Sequence, residues 1–505
     1  MNHWIIAPVI LPAILAPILA FVMRHDISLA RIFSIAGAAA LAAIALGLTV
    51  LAAQGETHVY ELGNWPAPFG IVLVLDRLSA MMLLLTSVLA LVALLYAVST
   101  EWDARGRHFH ALFQFQLMGI SGAFLTGDAF NLFVFFEVLL IASYGLMIHG
   151  GGAARLKAGL QYVVMNLAGS TLFLFALGTI YATTGTLNIA DLAVKLREIP
   201  IEDAALVRVA AMLLLIVFAI KAALFPVQFW LPSTYANAPA PVAALFAIMT
   251  KVGAYAIIRM YTISFGPDVA ATGSMAGDWL LPAALVTVVI GAFGVWGARG
   301  LLPLVAFSVL GSMGALLVAV SAFSPQSTAA ALYYMVHSTL AAAILFLVAD
   351  AVISRRGAGL GLLQASPVIR HNGLFAALFF GGAIAMAGMP PLSGFLGKLL
   401  ILDAMRAPDT MVLVWVVILG GSLLTIVGFA RAGSIIFWKS TAIDVPEVAA
   451  PMPAQPLAIT AIFAALAMLG LLTVFAGPAM DYFDATSQQL YNPAGYISAV
   501  LGNGV

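Results

Sequence analysis

The sequence predicts an all-α polytopic membrane protein of about 14 transmembrane helices, and three observations carry that expectation. Hydrophobic residues make up 63% of the chain and charged residues only 8%, with a mean hydropathy of +1.09; a soluble chain carries about 25% charged residues. Apolar windows of about 20 residues, the length that crosses a hydrocarbon core roughly 30 Å thick, recur from one end to the other. The polar connections between them are too short to hold a soluble domain.

The windows fall at 5–22, 30–53, 73–97, 110–127, 130–149, 161–184, 206–229, 240–262, 279–298, 302–322, 328–350, 374–402, 411–438 and 456–476. Arg24, the first cation, follows the first window rather than preceding it. That order is wrong for a signal peptide, so Ile5 to Val22 is expected to be a retained first helix. The chain has no cysteine and a net charge of zero. The first excludes disulfides and thiolate sites; the second is silent about acidic or basic partners. No GxxxxGK[ST], HExxH or GxSxG motif occurs, which argues against nucleotide-driven pumping within this chain. No cofactor is expected.

Lysine and arginine counts in the loops orient the helices. With the loop after the first helix taken as cytoplasmic, that side carries eleven, from Arg24 to Lys439, and the other carries six. Both termini are therefore expected outside. The loop at 185–205 is mixed, with Asp191, Glu198, Glu202 and Asp203 beside its cations.

Two predicted helices are interrupted. Pro226 and Pro232 flank Gln228 in the seventh, and Gly388, Pro390, Pro391, Gly394 and Gly397 crowd the twelfth just before Lys398. Proline removes a backbone donor and clashes with the preceding turn. In a bilayer the freed carbonyls must then face protein or water. Such prolines can merely kink a helix, but interruptions five helices apart suggest repeats of helices 4–8 and 9–13, inverted because each has an odd number of helices. The chain then divides into 1–108, a first repeat at 109–262, a second at 279–438 and a last helix at 456–476, all within one transmembrane domain.

Most of the charges lie in loops or near helix ends. Glu137, Lys221, Lys251 and Lys398 lie well inside apolar windows, each costing roughly 2.5–3.5 kcal/mol at the bilayer centre. Lys221 and Lys251 each lie about ten residues from a polar hairpin expected at Pro232–Pro239, or about 15 Å at helical rise. That is too deep for snorkelling, whereas Arg431 lies near enough to a helix end to snorkel. Intramembrane charges of this kind mark proton or ion paths. Glu137, in FNLFVFFEVLLIASYGLM, is expected to ionise against one of the buried amines; a structural Glu–Lys pair is the plainer alternative. An ion pair at 4 Å in an effective dielectric of 20 is worth about 4 kcal/mol, some three tenfold steps in a protonation equilibrium. Opening such a pair suffices to make one lysine release a proton and load the next. His337, in YYMVHSTLAAAILFLVAD, is either a packed core histidine or a bridge between amines.

These residues together resemble a known family, the antiporter-like membrane subunits shared by Mrp cation/proton antiporters and respiratory complex I. KAALFPVQFWLPSTYANAPAPVAAL…KVGAY and GMPPLSGFLGK match motifs of the wider family, and FFEVLLIASYGLM is most similar to the D-type subunits of Mrp Na⁺/H⁺ antiporters. The resemblance implies fourteen helices with inverted five-helix repeats. It also implies that Glu137 and Lys221 form a charge pair, Lys251 is a central lysine, His337 a relay histidine and Lys398 the terminal residue of a proton path. Some relatives carry a further lysine where this chain has Ala342. The function implied is a subunit of a hetero-oligomeric Na⁺/H⁺ antiporter in a prokaryotic cell membrane, working with other antiporter subunits. The alternative is a proton-pumping subunit of complex I or a membrane-bound hydrogenase, and a third reading is a scaffold whose charges hold partner subunits.

Overall fold

A computed structural model describes residues 3–356, 361–442 and 455–502. Among the described residues eleven helices are long and apolar enough to cross a membrane, and three shorter apolar ones (Ala7–Val22, Phe109–Leu125 and Asn372–Ala387) complete the set, so each of the fourteen windows holds one.

In chain order, α1 (Ala7–Pro17) and α2 (Ile27–Ala52) lead to a short antiparallel hairpin, β1 (His58–Glu61) with β2 (Val72–Leu75), in which His58 faces Leu75. The window at 73–97 therefore starts as a strand, its Val-Leu-Val-Leu run suiting a buried one. The helix begins only at α3 (Arg77–Ser99), where Asp76 and Ser79 form a reciprocal capping box with both bonds at 2.9 Å. Then follow α4 (Phe109–Leu125), α5 (Ala129–Met147), α6 (Ala153–Thr184) and a surface helix α7 (Ile189–Glu198). The mixed charges of the 185–205 loop belong largely to the outer face of α7, where Lys195 and Asp191 pair at 3.1 Å while Leu192 and Leu196 are buried.

The seventh window holds α8 (Ala205–Ala222) and the irregular segment after it, and α9 (Trp230–Asn237) follows directly. The hairpin expected at Pro232–Pro239 is mostly this helix, because Pro232 falls in its first turn, where a missing N–H costs nothing. The eighth window is also divided, into α10 (Ala240–Phe246) and α11 (Met249–Ile263), with a turn between them. The rest comprises α12 (Met275–Gly297), α13 (Leu301–Ser321), α14 (Pro325–Arg356), α15 (Asn372–Ala387), α16 (Ser393–Ala404), α17 (Met411–Gly433) and α18 (Pro456–Val474). Two further helices, α19 (Ala476–Tyr491) and α20 (Ala494–Leu501), lie beyond the last window; neither is an apolar stretch long enough to register by length alone.

The core is polarised towards the middle of the chain. Every residue of α10 and α11 is buried, and α14 is nearly so, whereas α17 and α18 expose most of their apolar surface. Arg431 on α17 is exposed and reaches Ala298 O at 2.8 Å, satisfying a carbonyl at the end of α12. Near the α3–α4 turn, Asp103 accepts from Arg31 (2.6 and 2.9 Å) and lies 3.1 Å from His110. Burial alone would raise its carboxyl, but the hydrogen bonds with His110 and Arg31 outweigh this and hold it below the usual carboxylate range.

Candidate functional site

The three intramembrane lysines all stand at helix discontinuities. At the end of α8 the chain turns through Ala223, whose φ of 56° ends the helix, and stays irregular through Pro226 to Phe229. The carbonyls this frees need partners. Trp230 Nε1 donates to Ile220 O at 3.0 Å, and the Phe225 N–H goes to Thr287 Oγ1 on α12 at 2.9 Å. Lys221 occupies the last turn of α8, where the helix dipole favours a cation. Its Nζ donates to Asn166 Oδ1 at 3.1 Å and lies 5.8 Å from the centre of the Phe136 ring.

Glu137 lies within electrostatic range of Lys221. The expected ion pair is not closed: among the described residues no salt bridge joins Glu137 to a lysine. Glu137 instead accepts from Ser170 Oγ, and Lys221 binds Asn166. Asn166 and Ser170 are one turn apart on α6, so a neutral helix face holds the two charges apart. The residues offered a signal here, a polar pair at i and i+4 in an apolar window, which attention to charges alone passes over.

Lys251 stands in the first turn of α11, fully buried, and its Nζ has no hydrogen-bond partner among the described residues. The dipole of α11 opposes a cation there. Gly253, two residues on, explains how close this helix comes to the α8 break. A Cβ at that position would lie 2.6 Å from Ala222 N and 2.9 Å from the carbonyl carbon of Lys221. Any side chain there would push α11 away and separate the two lysines.

His337 is fully buried on α14, its Nδ1 2.9 Å from Ser393 Oγ at the start of α16. It lies within electrostatic range of both Lys251 and Lys398. Gly394 permits the close approach of α16, since a Cβ there would come 2.8 Å from His337 Nε2. Ala342, where some relatives have lysine, is buried on the same helix as His337. Lys398 closes the line. α15 ends at Gly388, with φ of 80°, and the Lys398 ammonium donates to Ala387 O and to Ser422 Oγ on α17, each at 2.8 Å. Beside it is a cavity of about 20 Å³ lined by Tyr334, Ser308, Ser312 and Thr425, room for roughly one water.

Asn166, Ser170, Ser393 and Ser422 thus hold Lys221, Glu137, His337 and Lys398 in place, with Lys251 unpaired among the described residues. Sequence reasoning also missed a buried ion pair. Asp76 and Arg259, which lie near the ends of their apolar windows, are joined in a bidentate pair, one bond of which measures 2.8 Å, and both side chains are buried. No group of three or more His, Asp or Glu suited to a metal ion occurs among the described residues.

Comparison with known proteins agrees along the whole chain. Residues 126–425 match the family described as NADH:quinone oxidoreductase/Mrp antiporter, TM. The chain is 39% identical to the D-type subunit of a probable K(+)/H(+) antiporter of Rhizobium meliloti (strain 1021), covering 99% of this chain and 98% of that one. It is 38% identical to the D-type subunit of the Na(+)/H(+) antiporter of Bacillus subtilis (strain 168), covering 99% and 100%. Among solved structures, a chain of the Mrp complex from Dietzia sp. DQ12-45-1b superposes with a TM-score of 0.89 at 28% identity, covering 99% of this chain and 100% of that one.

Proposed function

This chain belongs to the NADH:quinone oxidoreductase/Mrp antiporter family, and on that premise we propose that it is the D-type subunit of a multi-subunit antiporter exchanging a monovalent cation for protons. It is a multi-pass membrane protein with a transporter's fold rather than a self-contained enzyme. The observation that carries the reading is the intramembrane line Glu137–Lys221–Lys251–His337–Lys398, which folding alone does not need. Replacing buried ion pairs with apolar residues is often neutral for stability.

The line carries protons as follows. Lys221, held by a neutral amide, is free to change partners: when Glu137 turns from Ser170 towards it, the ion pair forms and the proton on Lys221 is held. When the pair opens, Lys221 passes its proton towards Lys251, which has no hydrogen bond to give up. His337 then hands it on, its Nδ1 anchored by Ser393, and Lys398 is the terminal carrier. Residues 109–262 and 279–438 act as two inverted repeats, with the α8–α9 break of the first corresponding to the α15–α16 break of the second. The matching neighbours support this: α4 packs on α5 as α12 packs on α13, and α6 packs on α8 as α14 packs on α15. The complex resides in a prokaryotic cell membrane with both termini of this chain outside. The named relatives differ in cation, so both Na⁺ and K⁺ are candidates.

The test is antiport in inverted vesicles holding the complete complex, with Na⁺ or K⁺ added to collapse an imposed proton gradient. Cation-dependent collapse that vanishes in Glu137→Ala, with the complex assembled, is the expected outcome; normal exchange in that variant would remove the mechanism. Purification with iron–sulfur or flavin subunits would favour the redox-driven alternative instead. Efficient labelling of a cysteine placed at Gly151 from outside would reverse the topology.

A further inference from the structure

Beyond Lys251 the polar line does not stop. Lys251, Tyr255 and Arg259 are spaced four residues apart on α11, so they lie on one face and climb about 12 Å at helical rise. All three are buried, on a helix with no exposed residue. Tyr255 Oη donates to Phe124 O at 2.7 Å and accepts from Arg259 Nε at 3.2 Å. Arg259 grips Asp76, the capping residue of α3, and its guanidinium lies 5.6 Å from the ring centre of Tyr496 on α20. The Tyr496 hydroxyl is itself buried without a hydrogen-bond partner among the described residues. Unsatisfied groups therefore sit at both ends of the row, with satisfied ones between. Next to Asp76 the chain is covered by α19, whose half-buried Tyr482 donates to Arg77 O at 2.8 Å.

We propose that Asp76, reached from Lys251 along α11 through Tyr255, is the proton-exchange site on the face covered by the β1–β2 hairpin and by α19 and α20. This rests on the antiport reading above and adds a branch to it. A proton leaving the Lys251 ammonium is taken up by the Tyr255 hydroxyl, which turns from Phe124 O and gives its own proton to the Asp76 carboxylate. Lys251 becomes a neutral amine and Asp76 a neutral acid. Arg259 cannot lose its proton and remains the fixed positive charge. That charge restores the carboxylate once Asp76 releases its proton to the covered face. Arg259 is the positioning residue, and Tyr255 and Asp76 carry the proton. A purely structural role would need the Tyr255 hydroxyl only to tie α4 and Arg259 together, and would leave proton movement unchanged when that hydroxyl is removed.

The decisive variant is the neutral pair Asp76→Asn/Arg259→Gln, which keeps the shapes and removes both charges together. In the complete complex in inverted vesicles we expect assembly as in wild type. The maximal rate of Na⁺-driven proton movement should fall at least about tenfold, with the half-saturating Na⁺ concentration unchanged. Tyr255→Phe, which keeps the ring, should lower the maximal rate in the same way. An assembled double variant exchanging at the wild-type rate overturns the proposal. If the double variant fails to assemble, Tyr255→Phe decides: a lowered rate supports the branch and an unchanged rate overturns it. A wild-type complex showing no cation-dependent proton movement would instead defeat the antiport reading itself, before any variant is compared.

Discussion

The breaks after α8 and after α15 are made differently, and the difference separates a lysine that closes a helix end from one that does not. At the α8–α9 break the carbonyl of Ile220 accepts from both the Ala223 N–H and the Trp230 indole, so Lys221 is not needed as a cap and points to Asn166. The α15–α16 break is closed differently. Lys398 itself donates to Ala387 O, reaching back across the gap to the end of the helix before its own. Lys221 precedes its break and is buried, whereas Lys398 follows its break, is half-buried and borders a cavity. One positive charge therefore stands beside a helix end already satisfied by another side chain. The other is part of the helix terminus, where a cation both completes the hydrogen bonding and matches the dipole.

The largest effect that would sharpen this contrast is expected at Lys221. Lys221→Ala should lower cation-driven proton movement by roughly 100-fold or more, while the complex assembles in normal amounts because Trp230 still caps α8. Fluorescence quenching in vesicles alongside a native gel reads both; lost assembly would mean that Lys221 is structural after all. Lys398 should behave otherwise. Lys398→Leu should lower activity and also destabilise the chain by about 1.5–3 kcal/mol, the worth of a hydrogen bond to a charged group. Lys398→Arg or Lys398→His should keep more of both, as followed by thermal inactivation of the purified complex. Equal stability in the leucine and arginine variants would erase the distinction between the breaks.

Trp230→Phe is the counterpart at the first break. It removes the indole bond to Ile220 O and leaves that carbonyl only the Ala223 N–H at 3.2 Å, with an expected loss of about 1 kcal/mol, and transport per assembled complex should be almost unchanged. Gly388→Ala tests the second break from the backbone side. The left-handed conformation costs a non-glycine residue about 1–2 kcal/mol, and a Cβ there would come 2.7 Å from Lys398 Cδ. A small fall in thermal stability with a modest fall in rate is expected. Smallest of all, Ser170→Ala removes the neutral partner of Glu137. It should cost about 1 kcal/mol and change the rate by less than Lys221→Ala, in the same vesicle assay; a loss as large would place Ser170 on the proton path itself.

Fourteen apolar segments, both major interruptions and the five titratable groups of the central line are legible in the residues themselves. These are local properties: apolar length, proline and glycine chemistry, and a charge placed where a bilayer penalises it. The family is legible too, through motifs around Lys221, Lys251 and Lys398. Whatever depends on two segments meeting came only with tertiary packing. No local pattern says that Glu137 takes Ser170 and Lys221 takes Asn166 instead of pairing with each other, or that Gly253 draws α11 against the α8 break. Asp76 and Arg259 read as end-of-helix charges because each is near a segment boundary; they become a buried pair only once α19 packs against both α3 and α11. The helices α19 and α20 escaped a local reading for the same reason, since a short helix is fixed by the surface it covers rather than by its own propensity.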